Sequence, residues 1–97
     1  MRTVQEGLTE DAVEAHLVRW VKRERGLCIK VRFIRGFPDR IVLLPGARIL
    51  FVELKRPKGG QFEPLQLRWH DKLRKLGFTV RVWRTKGIID AYFQGLL

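Results

Sequence analysis

The sequence predicts an α/β fold, a mixed four-stranded sheet flanked by helices, and three patterns carry that prediction. Leu27-Cys28-Ile29-Lys30-Val31-Arg32-Phe33 alternates with period two, the mark of a strand with one strongly apolar face. Asp39–Leu44 and Ile49–Lys55 are nearly continuous apolar runs on either side of Pro45-Gly46-Ala47, as strands covered on both faces are. Apolar residues recur at helical spacing before these strands, at Val13, Leu17, Trp20 and Val21, and after them, at Leu65, Trp69, Leu73 and Leu76.

The first helix is expected to open at Thr9, whose hydroxyl can cap it, with Glu10 and Asp11 in the first turn where the helix dipole favours acids. It runs to about Arg25 and ends at Gly26. Glu10 falls within the apolar stripe and Glu14 at its edge; His16 lies off it and reads as a surface residue. The first strand follows, with Cys28, Lys30 and Arg32 on its polar face and Cys28 in the role of a small buried residue. Ile34-Arg35-Gly36-Phe37 is a loop into the second strand, Asp39–Leu44, and a turn leads to the third, Ile49–Lys55. Arg56-Pro57-Lys58-Gly59-Gly60-Gln61 is a basic, Gly-rich loop of the kind that approaches a phosphodiester backbone closely.

The next helix begins near Pro64 and closes at Gly77. Gln66 in its first turn is by default a surface residue, although the loop length brings it back over the end of the third strand. Phe78–Arg84 reads as a fourth strand, and a strand, a crossover helix and another strand imply a parallel connection. Ile88–Phe93 is a short last helix, whose Ile88, Ile89, Tyr92 and Phe93 either complete the core or join a partner.

Composition narrows the function classes. Ninety-seven residues suit one domain, and twenty Lys and Arg against ten Asp and Glu give a formal charge of +10. So basic a domain points to a polyanion, with nucleic acid favoured over a membrane surface. No apolar run reaches the roughly 18 residues a membrane span needs, and Thr3-Val4-Gln5-Glu6 lacks the apolar core of a secretory signal, so an intracellular, cytoplasmic protein is expected. The single cysteine permits no internal disulfide. His16 and His70 stand far apart with no His/Cys cluster, and no Walker-type phosphate loop is present.

The chemistry concentrates on the two central strands. If they form a hairpin around Pro45-Gly46-Ala47, Leu44 faces Arg48 and, five steps along the ladder, Asp39 faces Glu53. Directly opposed side chains lie roughly 4.5–5.5 Å apart at Cβ, where like charges repel. Two such carboxylates call for a cation, and a hard divalent ion such as Mg²⁺ takes oxygen ligands and keeps waters for chemistry. Lys55 shares the face of Glu53, two residues on, and could orient or deprotonate a water attacking a phosphate. Lys30, Arg32 and Arg35 before the first acid, and Arg56 and Lys58 after the lysine, are the candidate nucleic-acid contacts.

Gly36-Phe37-Pro38-Asp39, Glu53-Leu54-Lys55 and Gln66 opening the next helix, preceded by a helix bearing Glu10, together resemble the virus-type replication-repair nuclease (VRR-NUC) domain of the PD-(D/E)xK superfamily. The resemblance covers nearly the whole chain and implies that family's α-β-β-β-α-β(-α) core. It implies Asp39 and Glu53 as ligands of a catalytic Mg²⁺ or Mn²⁺, with the Leu54 carbonyl a further ligand. It implies Lys55 as the catalytic lysine, Gln66 as an active-site support and Glu10 as the first-helix acid, while Glu14 stands where a glutamine is expected. Stand-alone members resemble Holliday-junction resolvases acting as homodimers on branched DNA in repair, and phage or bacterial origin is implied by the same likeness. Three readings compete with a junction nuclease: a nicking or restriction-like nuclease without junction preference, a non-catalytic basic nucleic-acid-binding module whose acids pair with neighbouring arginines, and an assembly protein that binds acidic partners.

Overall fold

Thr9 caps the first helix as expected, its side chain accepting the Ala12 N–H at 3.0 Å. The computed structural model describes residues 9–95, so the expectation for Thr3–Glu6 lies outside the described residues. Within them the order is α1 (Glu10–Arg23), β1 (Leu27–Lys30), β2 (Arg40–Leu44), β3 (Arg48–Leu54), α2 (Pro64–Lys75), β4 (Thr79–Trp83) and α3 (Lys86–Phe93). The strands form one four-stranded sheet in the order β1-β2-β3-β4. β1, β2 and β3 are antiparallel, and β4, reached through α2, pairs parallel with β3. The hairpin register is the one counted from the sequence: Leu44 pairs with Arg48 and Arg40 with Val52, so one more step sets Asp39 opposite Glu53. None of the described helices is long and apolar enough to cross a membrane.

Strand alternation divides the core in two. Val42, Leu44, Leu50, Val52 and Leu54 point to one side, where Val13, Leu17 and Val21 of α1 and Ile89 of α3 bury them. Phe51 and Val80 point to the other and pack with Leu73 of α2. Both faces of the central strands are therefore covered over most of their length, as their continuous apolar runs demand, with Ile49 near the hairpin turn left exposed.

Several expectations need correction. β1 ends at Lys30 rather than Phe33, and its apolar face is left open, with Leu27 62% and Ile29 43% exposed. The reason is coverage: α1 packs over the Cys28 side of this edge strand, while α2 packs against β4 at the opposite edge. Cys28 is half-buried rather than buried. α1 turns out through Arg25, which takes the left-handed φ of 64°, and Gly26 is required for a different reason. A Cβ on Gly26 would meet the Leu43 carbonyl oxygen at 2.4 Å. His16 is no surface residue, since its Nε2 lies 2.6 Å from Asp90 Oδ1, which also accepts from Trp20 Nε1 at 2.7 Å. These bonds tie α1 to α3 and hold the Asp90 carboxyl below its usual range. In α3, Ile89 is fully buried, and Tyr92 and Phe93 pack on the core, so these three complete the domain. Leu76 falls past the last turn of α2 and is exposed.

Candidate active site

The register brings Asp39 and Glu53 together at the end of the sheet where β2 begins and β3 finishes. Asp39 is fixed on two sides: its main-chain oxygen accepts the Val31 N–H at 3.0 Å, and its carboxylate accepts the Leu54 N–H at 2.8 Å. Glu53 is 2% exposed, an acid in the middle of an apolar strand. Burial, then the Asp39 carboxylate beside it, push its pKa up to about 8. A carboxyl pair in this state holds either a shared proton or a cation between its oxygens.

α2 supplies partners to both oxygens of Glu53. Gln66 Nε2 donates to Oε2 at 3.2 Å, and His70 Nε2 lies 3.4 Å from Oε1. The two residues are four apart and so share a helix face. Burial first, then the positive charges of Arg74 and Lys55, lower the pKa of His70 and favour the neutral imidazole. Gln66 is committed three times over: its Oε1 also accepts Lys55 Nζ at 3.2 Å and the Glu63 N–H at 2.9 Å, completing a capping box at the start of α2. The default reading of Gln66 as a surface residue is therefore overturned.

Lys55 follows on the face it shares with Glu53. Its Nζ also donates to the Gln61 carbonyl at 3.0 Å and lies 5.2 Å from the Phe62 ring centroid. The basic loop it leads into is built rather than slack. Arg84 donates to the carbonyls of Arg56 and Gly60, each at 3.0 Å, and a Cβ on Gly60 would sit 3.2 Å from the Cβ of Lys55. Between this loop and the start of α1 lies an open cleft of about 540 Å³, lined by Thr9–Asp11, Lys55, Arg56 and Gly59–Gln61.

The first-helix acids separate clearly. Glu10 lines the cleft, and burial, followed by the charge of Asp39, raises its pKa. Glu14 accepts from Arg40 Nε at 2.8 Å and pairs with Lys30 Nζ at 3.3 Å. Burial alone would raise its pKa, but the Arg40 and Lys30 bonds carry it below the ordinary value. Lys30 is thus engaged with an acid of its own chain. Arg32, Arg35, Arg56 and Lys58 are exposed on the two loops that flank the carboxylates. His70, Phe62 and Arg84 were absent from the sequence-derived set; only the spacing of His70 from Gln66 on a helix could have pointed to it.

The donors fit a hard divalent ion. Asp39 and Glu53 offer carboxylate oxygen in a pair that burial and mutual repulsion leave short of positive charge, and the Leu54 N–H on the Asp39 carboxylate brings that stretch of main chain up to the pair. Among the described residues no three His, Cys, Asp or Glu side chains group closely enough to hold an ion unaided, so water would complete the set.

No family model matches the chain. The protein described as "Putative nuclease p44", from Acyrthosiphon pisum secondary endosymbiont phage 1, is 44% identical over 79 residues, spanning 77% of this chain and 82% of its own length. A solved structure described as "VRR_NUC domain" superposes with a TM-score of 0.82 at 30% identity, over 91% of this chain and 97% of that one.

Proposed function

The chain belongs to the VRR-NUC family of nucleases, and on that premise we propose that it hydrolyses phosphodiester bonds in DNA with Mg²⁺ or Mn²⁺, using the Asp39–Glu53 pair. The observation that carries the reading is the buried acid pair itself, whose Glu53 is driven toward the neutral form unless a cation replaces the proton. A purely structural acid looks different here: Glu14 is matched to Arg40 and Lys30, whereas Glu53 faces Asp39, Gln66 and His70. That contrast argues against the binding-module reading, in which the acids would serve as partners of arginines.

In this mechanism Asp39 and Glu53, with the Leu54 carbonyl, would hold the ion. When bound, the ion supplies charge neutralisation at the phosphate and makes water more acidic. Lys55 spends two of its three donors on Gln61 and Gln66, and the third orients the attacking water or a phosphate oxygen. Gln66 positions Lys55 and Glu53 together, and His70 keeps the second Glu53 oxygen turned to its task. Glu10, on the far wall of the cleft, completes the acidic lining. Arg56 and Lys58 meet the DNA backbone from the basic loop.

The favoured substrate is a four-way junction, cut by a homodimer in which twofold symmetry sets two active sites on opposed strands. Ile89, Tyr92 and Phe93 are taken up by the core while Ile88 stays exposed, and a second apolar surface open to another copy is the uncovered sheet face of Leu27, Ile29 and Ile49. The test is cleavage of a labelled junction beside linear duplex, flap and single strand, with Mg²⁺, with Mn²⁺ and with chelator. Paired, metal-dependent incisions confined to the junction are expected. Metal-dependent cutting of every substrate alike would remove the junction preference, and binding without cutting in either metal would overturn the nuclease mechanism.

A further inference from the structure

Between β1 and β2 the chain makes a loop whose halves are built differently. Its base is closed by the Val31 N–H on the Asp39 carbonyl at 3.0 Å. Its second half is fastened to α2 and the sheet: Trp69 Nε1 donates to the Arg35 carbonyl at 3.1 Å, and the Phe37 ring stands edge-on to Phe51 and Trp69 with centroids 5.6 and 5.0 Å away. Gly36, with φ 78°, runs so close to α2 that a Cβ there would meet Leu65 at 2.6 Å. Its first half, which carries Phe33, is exposed to solvent from Arg32 to Arg35.

Phe33 is 96% exposed, the most exposed of the large apolar side chains among the described residues. Single exposed apolar residues are ordinary on protein surfaces. This one differs in three respects. It projects from a loop pinned at its base and along its second half, it stands between the exposed Arg32 and Arg35, and that loop leads directly into Asp39. Phe33 is two residues from Val31, whose backbone bonds that of Asp39, which puts its Cα within about 13 Å of the Asp39 Cα. At about 3.4 Å per nucleotide along a duplex strand, that is a reach of roughly four nucleotides. An aromatic ring between two guanidinium groups at that range suits a base face with phosphates on either side.

We propose that Phe33 is a base-stacking wedge, which enters the DNA within about four nucleotides of the scissile phosphate and stacks on an unpaired or unstacked base while Arg32 and Arg35 take the flanking phosphates. The proposal rests on the nuclease reading above and deepens it, because a wedge selects DNA whose stacking is already broken, as at a branch, a bubble or a flap, where the unstacking cost is smallest. Val31 and Phe37 would then form its rigid mount, and selectivity for irregular DNA would reside in a single ring rather than in a separate domain.

The experiment compares wild type, Phe33→Ala and Phe33→Trp in chelator, by binding to a bubble and to a matched uniform duplex, each carrying 2-aminopurine at the same position. Wild type and Phe33→Trp are expected to change the 2-aminopurine fluorescence on the bubble. Phe33→Ala should lose that change and bind the bubble about 5- to 150-fold more weakly, with a smaller effect on duplex. Equal bubble affinity and equal fluorescence response for wild type and Phe33→Ala would overturn the wedge. So would a Phe33→Ala protein of lower oligomeric mass by sedimentation, which would make the loop a self-association surface. Metal-dependent cleavage by wild type, measured on the same DNA, tests the nuclease reading separately: a wild type that cuts while Phe33→Ala behaves identically loses the wedge alone.

Discussion

Replacing Glu53 by Gln should make the metal-free protein more stable at neutral pH, an unusual outcome for a buried site residue. In the fold, burial and the neighbouring Asp39 raise the Glu53 pKa from an ordinary 4.5 to about 8. Below pH 4.5 the group is protonated in both folded and unfolded chains and costs nothing. As pH rises from there the unfolded chain ionises while the fold retains its proton, so the stability is lost progressively until the folded group itself ionises near pH 8. At pH 7 the gap is about 2.5 pH units at about 1.36 kcal/mol each, or roughly 3 kcal/mol. Glutamine has no proton to lose and can still accept from Gln66, so the variant escapes this cost. Because part of this shift comes from the charge of the neighbouring Asp39, 3 kcal/mol is the upper end. Half of it would raise the melting temperature of a domain this size by about 6–12 °C. Thermal unfolding of both proteins in chelator from pH 4.5 to 8.5 should show curves that meet at the acid end and diverge upward. Adding Mn²⁺ should then stabilise the wild type at pH 7 and leave the variant nearly unmoved. A variant no more stable than wild type at pH 7, or a difference that does not grow with pH, would refute the account of the acid pair.

Three other variants, one of them double, separate the remaining roles. Lys55→Ala is expected to slow single-turnover cleavage by about 10²-fold or more while DNA binding in chelator persists, and a wild-type rate would remove Lys55 from the mechanism. His70→Leu leaves Glu53 Oε1 without its helix partner and should weaken Mn²⁺ binding about 10-fold by calorimetry, whereas unchanged affinity would reduce the histidine to packing. Arg56→Ala with Lys58→Ala should flatten the plot of log affinity against log salt by about 0.9 for each duplex phosphate that the loop no longer neutralises, and an unaltered slope would put the basic loop away from the backbone.

How far the molecule was legible beforehand depended on whether the signal was local. The hairpin register could be counted because a short turn fixes pairing, and the count carried Asp39 to Glu53 without any tertiary information. The α2 boundaries were marked by Pro64 and Gly77, each read from backbone chemistry. The family resemblance was likewise carried by short ordered motifs, and the similarity to a VRR_NUC domain structure supports it. What could not be read was which helix covers which part of the sheet. The period-two pattern of β1 announced an apolar face at Leu27 and Ile29, but α2 lies over the other edge and that face stays open. Likewise His16 looked solvated from the α1 stripe alone, since its partner, Asp90, belongs to α3 at the far end of the sequence. His70 belongs to no His/Cys cluster in the sequence, and its partner is a carboxylate on a strand.

The strand that bears Glu53 has its parallel neighbour, β4, at residues Thr79–Trp83, and the backbone of Lys55 itself bonds the Trp83 carbonyl at 3.1 Å. Along the chain the motif residues therefore precede the strand that fixes them. A chain cut at Gly77 would carry Asp39, Glu53, Lys55 and Gln66, yet β3 would have a bare edge and Lys55 no main-chain anchor. Pairing that must wait for a crossover is slow to form. In this nuclease fold the lysine beside the acid pair therefore gains its main-chain anchor only when the crossover through α2 has closed.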